Sequence, residues 1–199
     1  PYIITTVDDL YSMSTLGGKE VYCELGCDID FNGSSYAEHF QPIPIKFHSL
    51  DGKGHAIRNI YVNTASGYVY IFTASLAYTI NTLKNLRLEN IQITAPQVGI
   101  VDSGNTSCPL AFYNCTFIID LKETAAIYNT YPGIFHSRYV AFNAELCTFA
   151  IKADLTVQTS LSKGDSFNRC HLHLDITVRD GQTSFEREGS FISGSRSEE

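Results

Sequence analysis

Five segments of this 199-residue chain share one local pattern at uneven intervals, and that pattern most limits what the chain can fold into. They are Ile57-Arg58-Asn59-Ile60-Tyr61-Val62, Leu83-Lys84-Asn85-Leu86-Arg87-Leu88, Phe112-Tyr113-Asn114-Cys115-Thr116-Phe117, Ala144-Glu145-Leu146-Cys147-Thr148-Phe149 and Phe167-Asn168-Arg169-Cys170-His171-Leu172. Stacked, they give three apolar columns. The first is Ile57, Leu83, Phe112, Ala144 and Phe167; the second is Ile60, Leu86, Cys115, Cys147 and Cys170; the third is Val62, Leu88, Phe117, Phe149 and Leu172. Between the last two runs a polar column of Tyr61, Arg87, Thr116, Thr148 and His171. Asn59, Asn85 and Asn114 share a corner position that passes to Leu146 and Arg169. A second pattern alternates with the first: an apolar pair before a small polar residue, in Ile71-Phe72-Thr73, Ile100-Val101-Asp102, Ile134-Phe135-His136 and Phe191-Ile192-Ser193. Leu161-Ser162-Lys163 is a degraded copy.

Measured at the corner, the spacing runs 26, 29, 32 and 23 residues. Helical arrays keep a nearly fixed period, whereas a parallel β-solenoid tolerates loops of any length between strands that stack. A single coil cannot bury its inward side chains, but coils about 4.8 Å apart make continuous inner columns. Asn at a corner enters the left-handed backbone region readily and can hydrogen-bond to the Asn of the next coil. A sandwich or jelly roll also alternates apolar and polar residues, yet it does not predict columns across five segments. Twelve Tyr, twelve Phe and many β-branched residues suit pleated strands. The expectation is an all-β parallel β-helix of about six coils forming one domain over 1–199, with coils over 21–194 and a solvated tail at 195–199. Residues 1–20 are expected to cap it. There Thr6 caps a helix over 6–13 that places Asp8 and Asp9 at its positive end and Val7, Leu10 and Met13 on one face.

Charge excludes some functions. Fourteen Lys and Arg against 21 Asp and Glu leave a net charge of −7, and no basic cluster offers a footprint for nucleic acid. No apolar run approaches the roughly 18–20 residues of a membrane helix, and residues 1–20 lack a signal-peptide pattern. Pro1 is what removal of an initiator Met leaves, so a small intact protein is one expectation.

Of the six cysteines, Cys115, Cys147 and Cys170 fall in one inward column. Their Cβ atoms should lie about 4.8 Å apart and point the same way, against the roughly 3.8 Å and convergent vectors of a disulfide. A free thiol ladder, acting as a small hydrophobe, is expected. Cys23 and Cys27 have no second pair or His at zinc-site spacing, Cys108 falls outside the columns, and free thiols throughout suit a reducing compartment.

The stretch Asp28-Ile29-Asp30-Phe31-Asn32-Gly33, then Phe40-Gln41-Pro42-Ile43, Phe47 and Leu50-Asp51-Gly52-Lys53-Gly54-His55-Ala56-Ile57-Arg58-Asn59-Ile60 resembles the opening of GLUG-type β-helix domains in bacterial surface and phage-associated proteins. The match covers about residues 21–75. Gly67-Tyr68-Val69-Tyr70-Ile71-Phe72 only approximates the family's "GLF" strand, and Ile45 departs from its "PIG" turn. The resemblance implies a right-handed single-stranded parallel β-helix, pectate-lyase-like in architecture, and an adhesive or structural role. It also makes Asp51-Gly52-Lys53-Gly54-His55 a tight corner. It transfers no catalytic set.

Outward columns are where chemistry could sit. If register holds, Asp102, His136 and Lys163 are vertical neighbours able to do acid–base work or grip a sugar; a charge-compensated surface ladder is the more ordinary reading. His171, His173 and Asp175 share one face of a strictly alternating strand. They could ligate a transition metal, but a solvated strand face accounts for them, and no metal or cofactor is expected. Tyr128 and Tyr131 offer rings with polar tips for a glycan or protein. The sequence therefore favours a non-enzymatic structural or binding β-helix: a phage or prophage virion component, or a cell-surface adhesin module, recognising a glycan or protein. The alternative is a polysaccharide hydrolase or lyase working along one parallel sheet. An exposed solenoid end would suit a homo-oligomer or a larger assembly.

Overall fold

The computed structural model describes residues 1–15, 21–74, 81–102, 109–125, 142–156 and 166–178. Strand β1 (Tyr2–Ile4) precedes helix α1 (Val7–Ser12) and a 3-10 turn (Met13–Thr15). Then come β2 (Tyr22–Leu25), β3 (Ile29–Asp30), β4 (Ile43–Ile45), β5 (Ser49–Asp51), β6 (Ala56–Asn63) and β7 (Tyr68–Ala74). The next are β8 (Asn81–Lys84), β9 (Arg87–Ala95), β10 (Gln97–Asp102), β11 (Leu110–Tyr113) and β12 (Thr116–Glu123). The last described are β13 (Phe142–Glu145), β14 (Thr148–Leu155), β15 (Ser166–Asn168) and β16 (His171–Val178). They stack in three sheets. Sheet A has the order β1-β2-β5-β8-β11-β13-β15, sheet B β16-β14-β12-β9-β6-β3, and sheet C β10-β7-β4. Every described pairing is parallel, and the chain returns to each sheet one level further on. The protein is an all-β parallel β-solenoid.

Inward side chains form the columns that stacking requires. In sheet A, Cys23, Leu50, Leu83, Phe112, Ala144 and Phe167 lie in register and are buried. In sheet B, Ile57, Leu88, Phe117, Phe149 and Leu172 lie in register, the first four buried and Leu172 half-buried at the end of the column. Phe117 and Phe149 stack with ring centroids 4.6 Å apart, and Phe112 and Phe167 meet them edge-on at 5.1 and 5.8 Å. In sheet C, Val101 pairs with Phe72 and Asp102 with Thr73, as the second repeat pattern requires. The later copies of that pattern lie outside the described residues.

The earliest repeat is out of register with the sequence alignment. Ile57 pairs with Leu88 rather than Leu83, and Ile60 with Ile91; the partner of Leu83 is Leu50. The cause is Asn. Asn85, Asn114, Leu146 and Arg169, at φ of 52°, 52°, 55° and 52°, turn the chain from sheet A into sheet B. Asn85 Nδ2 donates to Asp51 Oδ1 at 3.0 Å, and Asn114 Nδ2 to Asn85 Oδ1 at 2.8 Å. Asn59 (φ 62°) and Asn90 (φ 55°) are also left-handed, but they sit inside β6 and β9. They form a second ladder, Asn59 Nδ2 donating to Asp30 Oδ1 at 2.8 Å and Asn90 Nδ2 to Asn59 Oδ1 at 2.7 Å.

Leu146 takes the left-handed corner without an amide, and its side chain is 38 % exposed. Leu146→Asn removes left-handed strain and lets the new amide donate to Asn114 Oδ1, so stability should rise by about 1 kcal/mol. Thermal unfolding would show it as a Tm increase of a few degrees over both the parent and Leu146→Ala. A Tm no higher than that of Leu146→Ala would remove the corner argument.

The helix follows the sequence closely. Asp9 N–H donates to Thr6 Oγ1 and Thr6 N–H to Asp9 Oδ2, each at 3.0 Å, closing a capping box. Val7, Leu10 and Met13 are buried, and α1 packs beside β4. Within Pro1-Tyr2-Ile3-Ile4, expected only as part of the cap, Tyr2–Ile4 supplies the first strand of sheet A. Cys115, Cys147 and Cys170 follow the left-handed residue of their corners and are free thiols. The Cys115 N–H lies 3.4 Å from Cys147 Sγ. The Cys147 contact and burial push the Cys115 thiol well up, and burial raises Cys23 to about 11. Both stay protonated at neutral pH and behave as apolar filler.

Candidate functional site

Charges on the first coils are consumed by the fold. Asp28 accepts from the Ala56 N–H at 3.0 Å and pairs with Arg58 at 3.3 Å, while Asp30 takes Arg58 Nε at 3.2 Å. Lys53 bridges Glu24 (3.3 Å) and Asp51 (3.9 Å), and Lys84 adds a second cation to Asp51 at 3.4 Å. The Ala56 N–H and His55 hold the Asp28 carboxyl below the usual carboxylate range. Burial opposes ionisation of Asp51, but the Asn85 amide, the Lys53 N–H and Lys84 outweigh it and lower that group too. Asp28 and Asp30 are ties between coils.

Sheet B differs further along. Asn59 and Asn90 insert a left-handed residue into β6 and β9, and the register of β12 on β9 slips between Phe117 and Ile119. Strands β12, β14 and β16 then pair without a break. A bulged strand bends and twists more than its neighbour, and that irregularity falls at the junction of β9 and β12. An open depression of 320 Å³ runs across the outer face over β9, β12, β14 and β16. One of its columns is Ile118, Ala150 and His173, continuous in register. The next is Gln92, Asp120, Lys152 and Asp175, also continuous. Asn90 stands at the bulge, held by Asn59 and Tyr61. Ile118 is 48 % exposed. Among the described residues no ion pair involves Asp120, Lys152 or Asp175, although they succeed one another on adjacent strands.

The sequence-derived residues divide accordingly. His173 and Asp175 line the depression; His171 is exposed on the same strand but belongs to the Thr148 column. Leu172, Leu174 and Ile176 face the other way and are half-buried, as the alternation predicts. Asp102 ends β10 above Thr73, while His136, Lys163, Tyr128 and Tyr131 lie outside the described residues. Among the described residues no group of three or more His, Cys, Asp or Glu side chains is placed to hold a metal ion. Sequence reasoning missed Gln92, Ile118, Asp120 and Lys152. The signal was present: Asp120, Lys152 and Asp175 each stand three places after Phe117, Phe149 and Leu172 of the third column. Gln92 stands four after Leu88, because the bulge adds one.

No protein-family model matches the chain, and no curated protein matches it. A crystal structure from Bacteroides ovatus, described as a "putative immunoglobulin A1 protease", is similar over 98 % of this chain and 81 % of its own, at 12 % identity and a TM-score of 0.38.

Proposed function

We propose that this β-solenoid is a non-enzymatic structural and binding module, of GLUG-type kinship and right-handed winding, which recognises a glycan or protein through the outer face of sheet B. A place in a virion or on a bacterial surface, alone or within a larger assembly, suits such a rod. The observation that carries the reading is the depression on the outer face of sheet B, where Asp120, Lys152 and Asp175 are in register and unengaged while the charges of the first coils tie strands together. Polar side chains that the scaffold does not use, beside an exposed aliphatic column, are what a recognition surface needs.

Retention on an immobilised panel of bacterial glycans and surface proteins tests it. The wild-type chain should be retained by at least one member, Ile118→Arg should not, and no bound glycan should release reducing ends. Equal retention of Ile118→Arg would move the site elsewhere. Reducing-end release that disappears in Asp120→Asn would make the protein an enzyme.

A further inference from the structure

We infer that the groove takes an extended, non-anionic glycan lying along the solenoid axis, its ring faces on Ile118 and Ala150 and its hydroxyls on Gln92, Asp120, Lys152 and Asp175. This rests on the groove reading above and names its ligand class. Successive strands repeat at about 4.8 Å, close to the advance of an extended pyranose chain per residue, so each sugar meets an equivalent position of the next coil. The column offers acceptors at the two carboxylates, donors at the ammonium and both at the amide, which together match hydroxyl groups that donate and accept. Pyranose rings present C–H faces, and the neighbouring column supplies an aliphatic surface for them, with Ile118 48 % exposed.

The order of charge selects against anionic polymers. Along the axis the groove reads carboxylate, ammonium, carboxylate at Asp120, Lys152 and Asp175. A polyanion laid on this column faces like charge at two of the three, and like-charge juxtaposition across an interface is costly. The net charge of −7 adds a general repulsion of polyanions. An extended peptide is also a poor fit, because it gains affinity by pairing its backbone with a sheet edge, and this groove lies on a sheet face.

Calorimetric titration of the full chain with cellohexaose, the hexamer of N-acetylglucosamine and hexagalacturonate tests the class. At least one neutral hexamer should bind and hexagalacturonate should not. Ile118→Arg and, independently, Lys152→Ala should weaken the neutral ligand by roughly tenfold or more, the scale of one or two lost contacts, with circular dichroism unchanged. Asp120→Asn combined with Asp175→Asn should keep the neutral ligand and admit hexagalacturonate. Preferential binding of hexagalacturonate by the parent, lost in Ile118→Arg, would leave the groove standing and overturn the ligand class. Neutral binding indifferent to both groove variants would overturn the groove itself. Failure of both neutral hexamers to bind at millimolar concentration would overturn the class.

Discussion

Gly52→Ala is expected to destabilise the protein by about 3 kcal/mol, the upper range for forcing atoms into a packed interior. A Cβ there would stand 2.5 Å from the Asn85 carbonyl oxygen and 2.7 Å from Leu86 Cα. Both are backbone atoms of the next coil, and neither can yield easily. Gly52 N–H donates to Lys84 O at 2.8 Å, and Asn85 N–H to Tyr113 O at 3.0 Å, so the corner is pinned from below and above. Gly54 supplies the control. It lies two residues on at φ 83°, with nothing within 4 Å of an added Cβ, so Gly54→Ala incurs only left-handed strain of about 1–2 kcal/mol. Urea unfolding should place the Gly52 variant well below the Gly54 variant. Equal midpoints would mean that coil-to-coil approach at this corner is looser than described.

Phe117→Ala should cost about 3–5 kcal/mol. The ring is fully buried in the sheet B column, stacked on Phe149 and meeting Phe112 edge-on, so its removal takes away apolar area and two aromatic contacts together. Phe117→Leu keeps most of the volume and should lose much less. In a solenoid each coil contacts its neighbours alone, so the damage should stay local. Amide exchange in the alanine variant should accelerate first in β9, β12 and β14, while β2 and β5 keep their protection. Uniform acceleration along the chain would show that the coils unfold as one unit.

Architecture was readable because a solenoid demands similar residues at stacked positions, and four of the five sequence-aligned segments stack in the order their apolar columns predict. The fifth misled for a physical reason. Asn59 adopts the same left-handed conformation as Asn85, but within a strand rather than at its end. The two roles look alike as letters, Ile-Arg-Asn-Ile against Leu-Lys-Asn-Leu. The true counterpart of Asn85 lies in the Asp51–His55 corner, where two additional residues separate sheets A and B. The candidate groove was half legible. His173 and Asp175 stood out through alternation within one strand, whereas Asp120 and Lys152 acquire meaning only across strands, and the bulge that shifts Gln92 by one residue is invisible to a fixed-period alignment.

From β8 onward, two residues join each sheet A strand to its sheet B partner: Asn85-Leu86, Asn114-Cys115, Leu146-Cys147 and Arg169-Cys170. The return paths from sheet B to sheet A, spanning 96–109, 124–141 and 156–165, share no common length. Insertions and deletions are thus absorbed on the far side of the winding, and from β12 onward every residue over the groove keeps a constant address relative to its corner. A lineage built on this plan can lengthen or shorten its loops freely while editing its recognition surface one rung at a time.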